Sequence, residues 1–291
     1  MRKAFFQLHA AVFLAGFTAI LGKLITLNEG LLVWYRLLFT VAILWPLYYF
    51  SKKIQWISRA DILRLCGVGL IAALHWATFY ASIKNSNVSV ALVCFSSIGF
   101  FTAIMEPLIL KHRISVVEIL LGLLTIAGIF LIFHFDPRYK TGIIIGIVSA
   151  FLGCLFPIFN RRFLRSMTSE NVMLFELTGG FLFLTIMMPF YLQWFNFSFD
   201  LPSLSDLGWL LILSWLCTVI AFNLSMKALK KISAFTVNLT YNLEPLYGIL
   251  LAFIIFHEHK SLEPGFFWGL SLILLSIMIQ TILIYRNRKK V

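Results

Sequence analysis

The stretch NLTYNLEPLYGILLAFIIF, residues 238–256, decides how this chain is read. It is apolar and long enough to cross a bilayer, yet Glu244 and Pro245 stand inside it. A charge at the bilayer centre costs at least ~2.5 kcal/mol on insertion scales. Proline lacks an N–H and frees the carbonyl four residues earlier, here that of Tyr241. A freed carbonyl is tolerated at membrane depth only beside protein or water. Carboxylate and break together point to a polar cavity inside a helical bundle.

The rest of the chain agrees. It is 60% hydrophobic, with 30 Phe, and only 12% charged, against roughly 25% in soluble domains. Its mean hydropathy is +0.93. Apolar runs recur from end to end, so the chain reads as an all-α integral membrane protein. Breaks at charged or turn-rich stretches give ten transmembrane helices, near 5–26, 30–50, 62–83, 87–110, 115–135, 141–163, 171–194, 206–226, 232–256 and 262–285. The first run lacks a cleavage site and is too long for a signal peptide, so it is read as a retained helix. The loops hold no soluble domain, which places any function within the bundle.

Charge sets the expected orientation. With the N-terminus in the cytoplasm, most basic residues, from Arg2 and Lys3 through Arg161 and Arg162 to Lys289 and Lys290, fall at inner ends. Outer ends carry Lys84, Arg138, Lys140 and Lys260. This bias places both termini in the cytoplasm of a multi-pass protein of the cell membrane, expected to be bacterial. The net charge of +12 is then mostly a topology signal, and no nucleic-acid partner is expected for the tail RNRKK. Cys66, Cys94, Cys154 and Cys217 lie in apolar runs without C-x-x-C spacing and read as small buried side chains.

The chain also repeats itself. SIKNSNVSVAL (82–92) resembles ALKKISAFTVN (228–238), and LILKHRIS (108–115) resembles IIFHEHKS (254–261), both at an offset of 146 residues. Five spans per repeat is an odd number, so the second copy inserts upside down. Two inverted five-helix repeats, with a site near the midplane between them, are a common plan of secondary transporters.

At these residues the chain resembles the drug/metabolite transporter superfamily, in its ten-helix EamA branch. The resemblance covers nearly the whole chain. It is carried by AVFLAGFTAI around Gly16, by Arg36 in VWYRLLFTVAILWPL, by SIKNSNVSVAL, by NLEPLYGILLAFIIFHE, and by the glycines after each junction. The family's second-half motif, an apolar helix with Pro closing in Glu, matches Pro245 and Glu258. The first half departs from it, with Gly99 in place of Pro and His112 in place of Glu; Glu106-Pro107 sits lower. The resemblance implies repeats over 1–140 and 141–291, transport of a small-molecule substrate, often outward, and no cofactor. It sets neither substrate nor oligomeric state.

Candidate binding residues are the polar ones at depth. Thr240, Tyr241, Glu244 and Gly248 share one helical face, which suits a cavity wall; the alternative is a structural Glu244, paired or protonated. Glu244 is the candidate for proton coupling. Arg36 either packs inward against an acid or helix carbonyls, or contacts substrate; pairing with Glu244 is one option. His75 either binds substrate or a proton, or hydrogen-bonds a neighbouring helix. Trp76 either stacks on substrate or packs. Ser96, with Ser89 and Ser97, either touches ligand or permits close helix packing. Asn238 and Asn242 are expected to hydrogen-bond between helices. Glu176 is expected to snorkel or to meet Arg161 or Arg162. The G-x-x-x-G patterns at 142–146 and 265–269 mark tight contacts within or between monomers. His257-Glu258-His259 lacks the i, i+4 spacing of a zinc helix, so no metal is expected. A membrane enzyme would need a nucleophile–base pair or phosphate loop, and none is recognisable. A channel or lipid scramblase remains the alternative to a carrier, with membrane lipids as the surrounding partner.

Overall fold

The computed structural model describes residues 2–55, 57–111, 113–135, 137–241 and 243–288; side chains are described except at 133–135, 137, 234–235, 238–239, 280–281 and 284–288. His112, Asn242 and the last three residues lie outside the described residues, as does the Asn238 side chain, and with them the roles expected of Asn238, Asn242 and the basic tail.

The described residues are helical throughout, joined by short turns. The helices are α1 (Arg2–Leu24), α2 (Glu29–Phe50), α3 (Arg59–Lys84), α4 (Val88–Phe95), α5 (Ile98–Leu110), α6 (Val116–Phe135), α7 (Lys140–Phe163) and α8 (Ser169–Phe195). Then follow α9 (Leu204–Ser214), a π-helical turn (Trp215–Ile220), α10 (Ala221–Leu229), α11 (Ala234–Tyr241), α12 (Leu243–Ile255) and α13 (Pro264–Arg288). Seven runs are long and apolar enough to cross a membrane: α1, α2, α3, α4–α5, α7, α8 and α9–α10. Val116–Ile132, Leu243–Ile255 and Pro264–Ile279 are shorter apolar helices. The chain is a multi-pass α-helical membrane protein.

Local chemistry starts and stops these helices. Side chains of Asn28, Ser58, Asn87, Thr168 and Ser203 each accept a backbone N–H in the first turn. Lys111 and His257 adopt left-handed backbone, φ 56° and 54°, and end α5 and α12. They are 146 residues apart, as are the starts of α4 and α11, so the offset seen in the sequence recurs in the backbone.

The sequence halves are not the packing units. α1 packs on α9–α10 and on α12, and these form a first group; α2 bridges, packing on α8 as well as on α9, and α11 packs on α5. α3 packs on α7 and α8, and α4–α5 pack on α7; these form a second. Each half thus gives helices to both groups, while α6 and α13 pack on each other. Small residues permit the closest approaches. A Cβ at Gly69 would overlap the Glu176 carbonyl, and a Cβ at Gly128 or Gly269 would overlap the other's carbonyl. Gly142 faces Ser86 and Gly146 faces Cys94 and Ser82, so the pattern at 142–146 serves contacts inside the monomer.

Two faces result. α1 starts at the amino-terminal face and ends at the opposite one. On the opposite face, Asp206 accepts Thr26 N–H at 2.8 Å and Thr26 Oγ1 at 2.7 Å. On the amino-terminal face, Asn171 accepts Gln55 N–H at 3.1 Å and returns its amide to the Gln55 carbonyl at 3.1 Å.

Candidate functional site

A cavity lies between the two groups at mid-height. Arg36, His75, Trp76, Tyr241 and Glu244 line it, with Phe79, Phe95, Phe156 and Phe222 as aromatic walls and Ala15, Gly153 and Cys217 as small ones.

Arg36 is 2% exposed, and neutral groups hold it. Its Nε donates to Thr218 Oγ1 at 2.8 Å and its Nη1 to the Tyr80 hydroxyl at 2.9 Å. The guanidinium lies 4.1 Å from the Trp76 ring centroid, a cation–π contact. Thr218 stands in the π turn, where its hydroxyl donates to the Leu213 carbonyl five residues back at 2.9 Å. A π turn shifts the side-chain phase of the helix, and here it brings Thr218 to Arg36.

Glu244 is 5% exposed, and no donor among the described residues reaches its carboxylate. It does not form an ion pair with Arg36, whose bonds go to Thr218 and Tyr80. The two charges act on each other across the cavity without joining.

The His75 ring hydrogen-bonds a neighbouring helix, as one of its two expected roles requires. Nδ1 lies 2.9 Å from the Ser149 carbonyl and 3.0 Å from Ser149 Oγ, which ties α3 to α7. A neutral ring donating Nδ1–H to that carbonyl keeps its lone pair on Nε2. The ring also lines the cavity, among Phe79, Phe95 and Phe156.

Other expected residues fall elsewhere. Thr240 Oγ1 donates to the Thr236 carbonyl at 2.8 Å, and Ser96 Oγ to the Leu92 carbonyl at 3.2 Å; neither is on the cavity wall. Gly248 faces Leu92 and the backbone of Gly16. Of Thr240, Tyr241, Glu244 and Gly248, drawn as one helical face, Tyr241 and Glu244 line the cavity and Thr240 and Gly248 do not. Tyr241 is hydrogen-bonded to Ser225.

Outside the cavity, one expected pairing is corrected. Glu176 does not meet Arg161: it is fully buried, and Asn160 Nδ2 donates to both its oxygens at 3.1 and 2.9 Å. Arg161 instead pairs with Glu106 at 2.9 Å. Thr218 and Tyr80, which position Arg36, carried no signal in the sequence. The phenylalanines of the wall were indistinguishable from the many that face lipid.

Similarity to known proteins follows the same lines. A model described as the EamA-like transporter family matches residues 2–134 and 140–282. An uncharacterized transporter of Haemophilus influenzae is 24% identical over 241 residues, covering 78% of this chain and 75% of its own. A crystal structure of a protein superposes with a TM-score of 0.70 at 16% identity, over 99% of each chain. At that identity the superposition shows a shared fold.

Proposed function

Since the chain belongs to the EamA-like transporter family, we propose that this membrane transporter is a secondary carrier that exports a small organic metabolite or amino-acid-like solute by alternating access. One observation carries the reading. Arg36 and Glu244 face a single aromatic-walled cavity and do not neutralise each other. Held by neutral dipoles, Arg36 is available to an anionic group. Glu244 is available to a cationic group or to a proton, and the rings between suit an apolar body.

The chain crosses the membrane ten times in this reading, with α4–α5 and α11–α12 each counted as one span. The repeats over 1–140 and 141–291 are inverted relative to each other. Both termini lie in the cytoplasm, as the distribution of Lys and Arg favours, so the amino-terminal face is the inner one. Alternating access tilts the two packing groups against each other, since each sequence half is divided between them.

The test is metabolite profiling of cells and medium with overexpressed wild type, Glu244→Gln and an empty vector, with membrane levels matched. One solute moves into the medium with wild type, and Glu244→Gln lowers that flux at least ~10-fold. If Glu244 couples protons, the residual flux of Glu244→Gln no longer responds to a pH gradient. Wild-type flux in Glu244→Gln returns Glu244 to a structural role. Lipid flipping or ion currents from the reconstituted protein, without saturable solute flux, sink the carrier reading.

A further inference from the structure

Glu258 stands outside the cavity, in the turn Glu258–Lys260 that follows α12 on the opposite face. It is 4% exposed, and its two oxygens hold four donors. Lys23 Nζ, at 2.7 Å, and Val88 N–H, at 3.1 Å, reach Oε1. Ser89 N–H, at 2.9 Å, and Ser89 Oγ, at 2.7 Å, reach Oε2.

These donors are not alike in origin. Val88 and Ser89 open α4, whose own cap, Asn87, serves the Val90 N–H at 2.8 Å. The first N–H groups of a helix have no partner within it, so Glu258 supplies what the cap leaves undone. Lys23 ends α1 and Glu258 follows α12, both in the first packing group, whereas α4 belongs to the second. The three bonds to α4 therefore cross the boundary between groups, where α4 and α12 pack together. Lys23 stays on the Glu258 side and keeps the buried charge paired.

The offset of 146 residues gives the equivalent positions for the other face. Glu258 corresponds to His112, and Ser89 to Phe235. The carboxylate and the hydroxyl are both absent from the sequence there. The buried acid Glu106 pairs with Arg161, and both lie in the second group.

We propose that Glu258 is a latch between α1 and α12 on one side and α4 on the other, closing the opposite face. The proposal rests on the carrier reading for its purpose, since a latch needs two groups that move. Opening that face breaks three hydrogen bonds to a carboxylate. A single hydrogen bond to a charged group shifts an equilibrium by roughly 10- to 100-fold.

A native thiol tests it. Cys217 lines the cavity, and replacing Cys66, Cys94 and Cys154 with Ala leaves it alone to react. Membrane vesicles of each orientation are treated with a membrane-impermeant maleimide, so the result does not depend on the assigned topology. From the face that bears Lys23, the Cys217 rate is expected to rise about tenfold in Glu258→Gln and about threefold in Ser89→Ala. From the amino-terminal face, both variants should label more slowly than their parent. Unchanged rates from the Lys23 face in a folded Glu258→Gln protein overturn the latch, whatever its melting temperature. If Glu258→Gln does not reach the membrane, Ser89→Ala decides alone, and an unchanged rate again overturns it. Labelling of the parent from the amino-terminal face checks the carrier reading separately. A thiol reached from neither face in any variant counts against both.

Discussion

Glu258 and Glu106 are both buried acids, and each pairs with a cation. Their bonds differ in reach. Glu258 joins two packing groups through four donors, three of them on the far side of the boundary. Glu106 ties α5 to Arg161 of α7 inside one group. The same chemistry thus closes a seam in one place and stiffens a unit in the other. What separates the roles is where the partner sits.

The comparison is broken most directly by removing each acid. Glu258→Ala leaves an ammonium, two N–H groups and a hydroxyl without their acceptor, and is expected to cost about 3–5 kcal/mol. Glu106→Ala should cost about half as much: Lys23 and Arg161, 36% and 30% exposed, can each turn to water, but the buried Val88 and Ser89 N–H groups on Glu258 cannot. Thermal unfolding in one detergent checks this, and equal losses would show that the two acids do the same work. Asn160→Leu sharpens the contrast within the second group. Glu176 loses its donor, so about 1–3 kcal/mol of stability should go, while the labelling of Cys217 from the Lys23 face stays at the parent rate. A rate that rises with the stability loss would mean that loosening anywhere opens the seam.

A smaller effect is expected between two glycines of α3. Gly69→Ala drives a methyl into the Glu176 carbonyl and should cost about 1–3 kcal/mol by overpacking. Gly67 has open space, so Gly67→Ala should be neutral or stabilising by up to ~1 kcal/mol. The smallest effect expected is that of acid. Burial pushes the Glu258 carboxyl up, but the hydrogen bonds from Lys23 and Ser89 outweigh it and hold the group below its ordinary 4.5. A carboxyl with a depressed folded-state value stabilises above the unfolded value and loses that contribution as pH falls through the folded one. The stability gap between wild type and Glu258→Gln should therefore be full at pH 6 and close progressively below pH ~4. A gap that stays constant down to pH ~2 would show that the charge of Glu258 contributes nothing.

Much of the site was legible where chemistry conflicts with the membrane. Glu244, Arg36 and His75 stood out because polar groups at depth need a reason, and all three reach the cavity. Thr240 and Gly248 stand away from the cavity because helical spacing groups residues on a face without saying what that face packs against: Gly248 meets Leu92 and Thr240 bonds back to Thr236. Thr218 was invisible because only a π turn brings it to Arg36. Glu258 could be matched to a family motif, yet its partners lie 235 and about 170 residues away in the chain. No local pattern encodes contacts of that range.

By itself the sequence determined the class, the helical runs, the repeat and the family. Each of these follows from the cost of exposing backbone and charge to lipid, a cost paid residue by residue along the chain. Only the tertiary structure decided that the repeats interleave, that Arg36 is held by neutral dipoles rather than by Glu244, and that Glu258 spans the seam. Those outcomes depend on which helices lie side by side, and that is settled by close packing at small residues and by hydrogen bonds between distant segments.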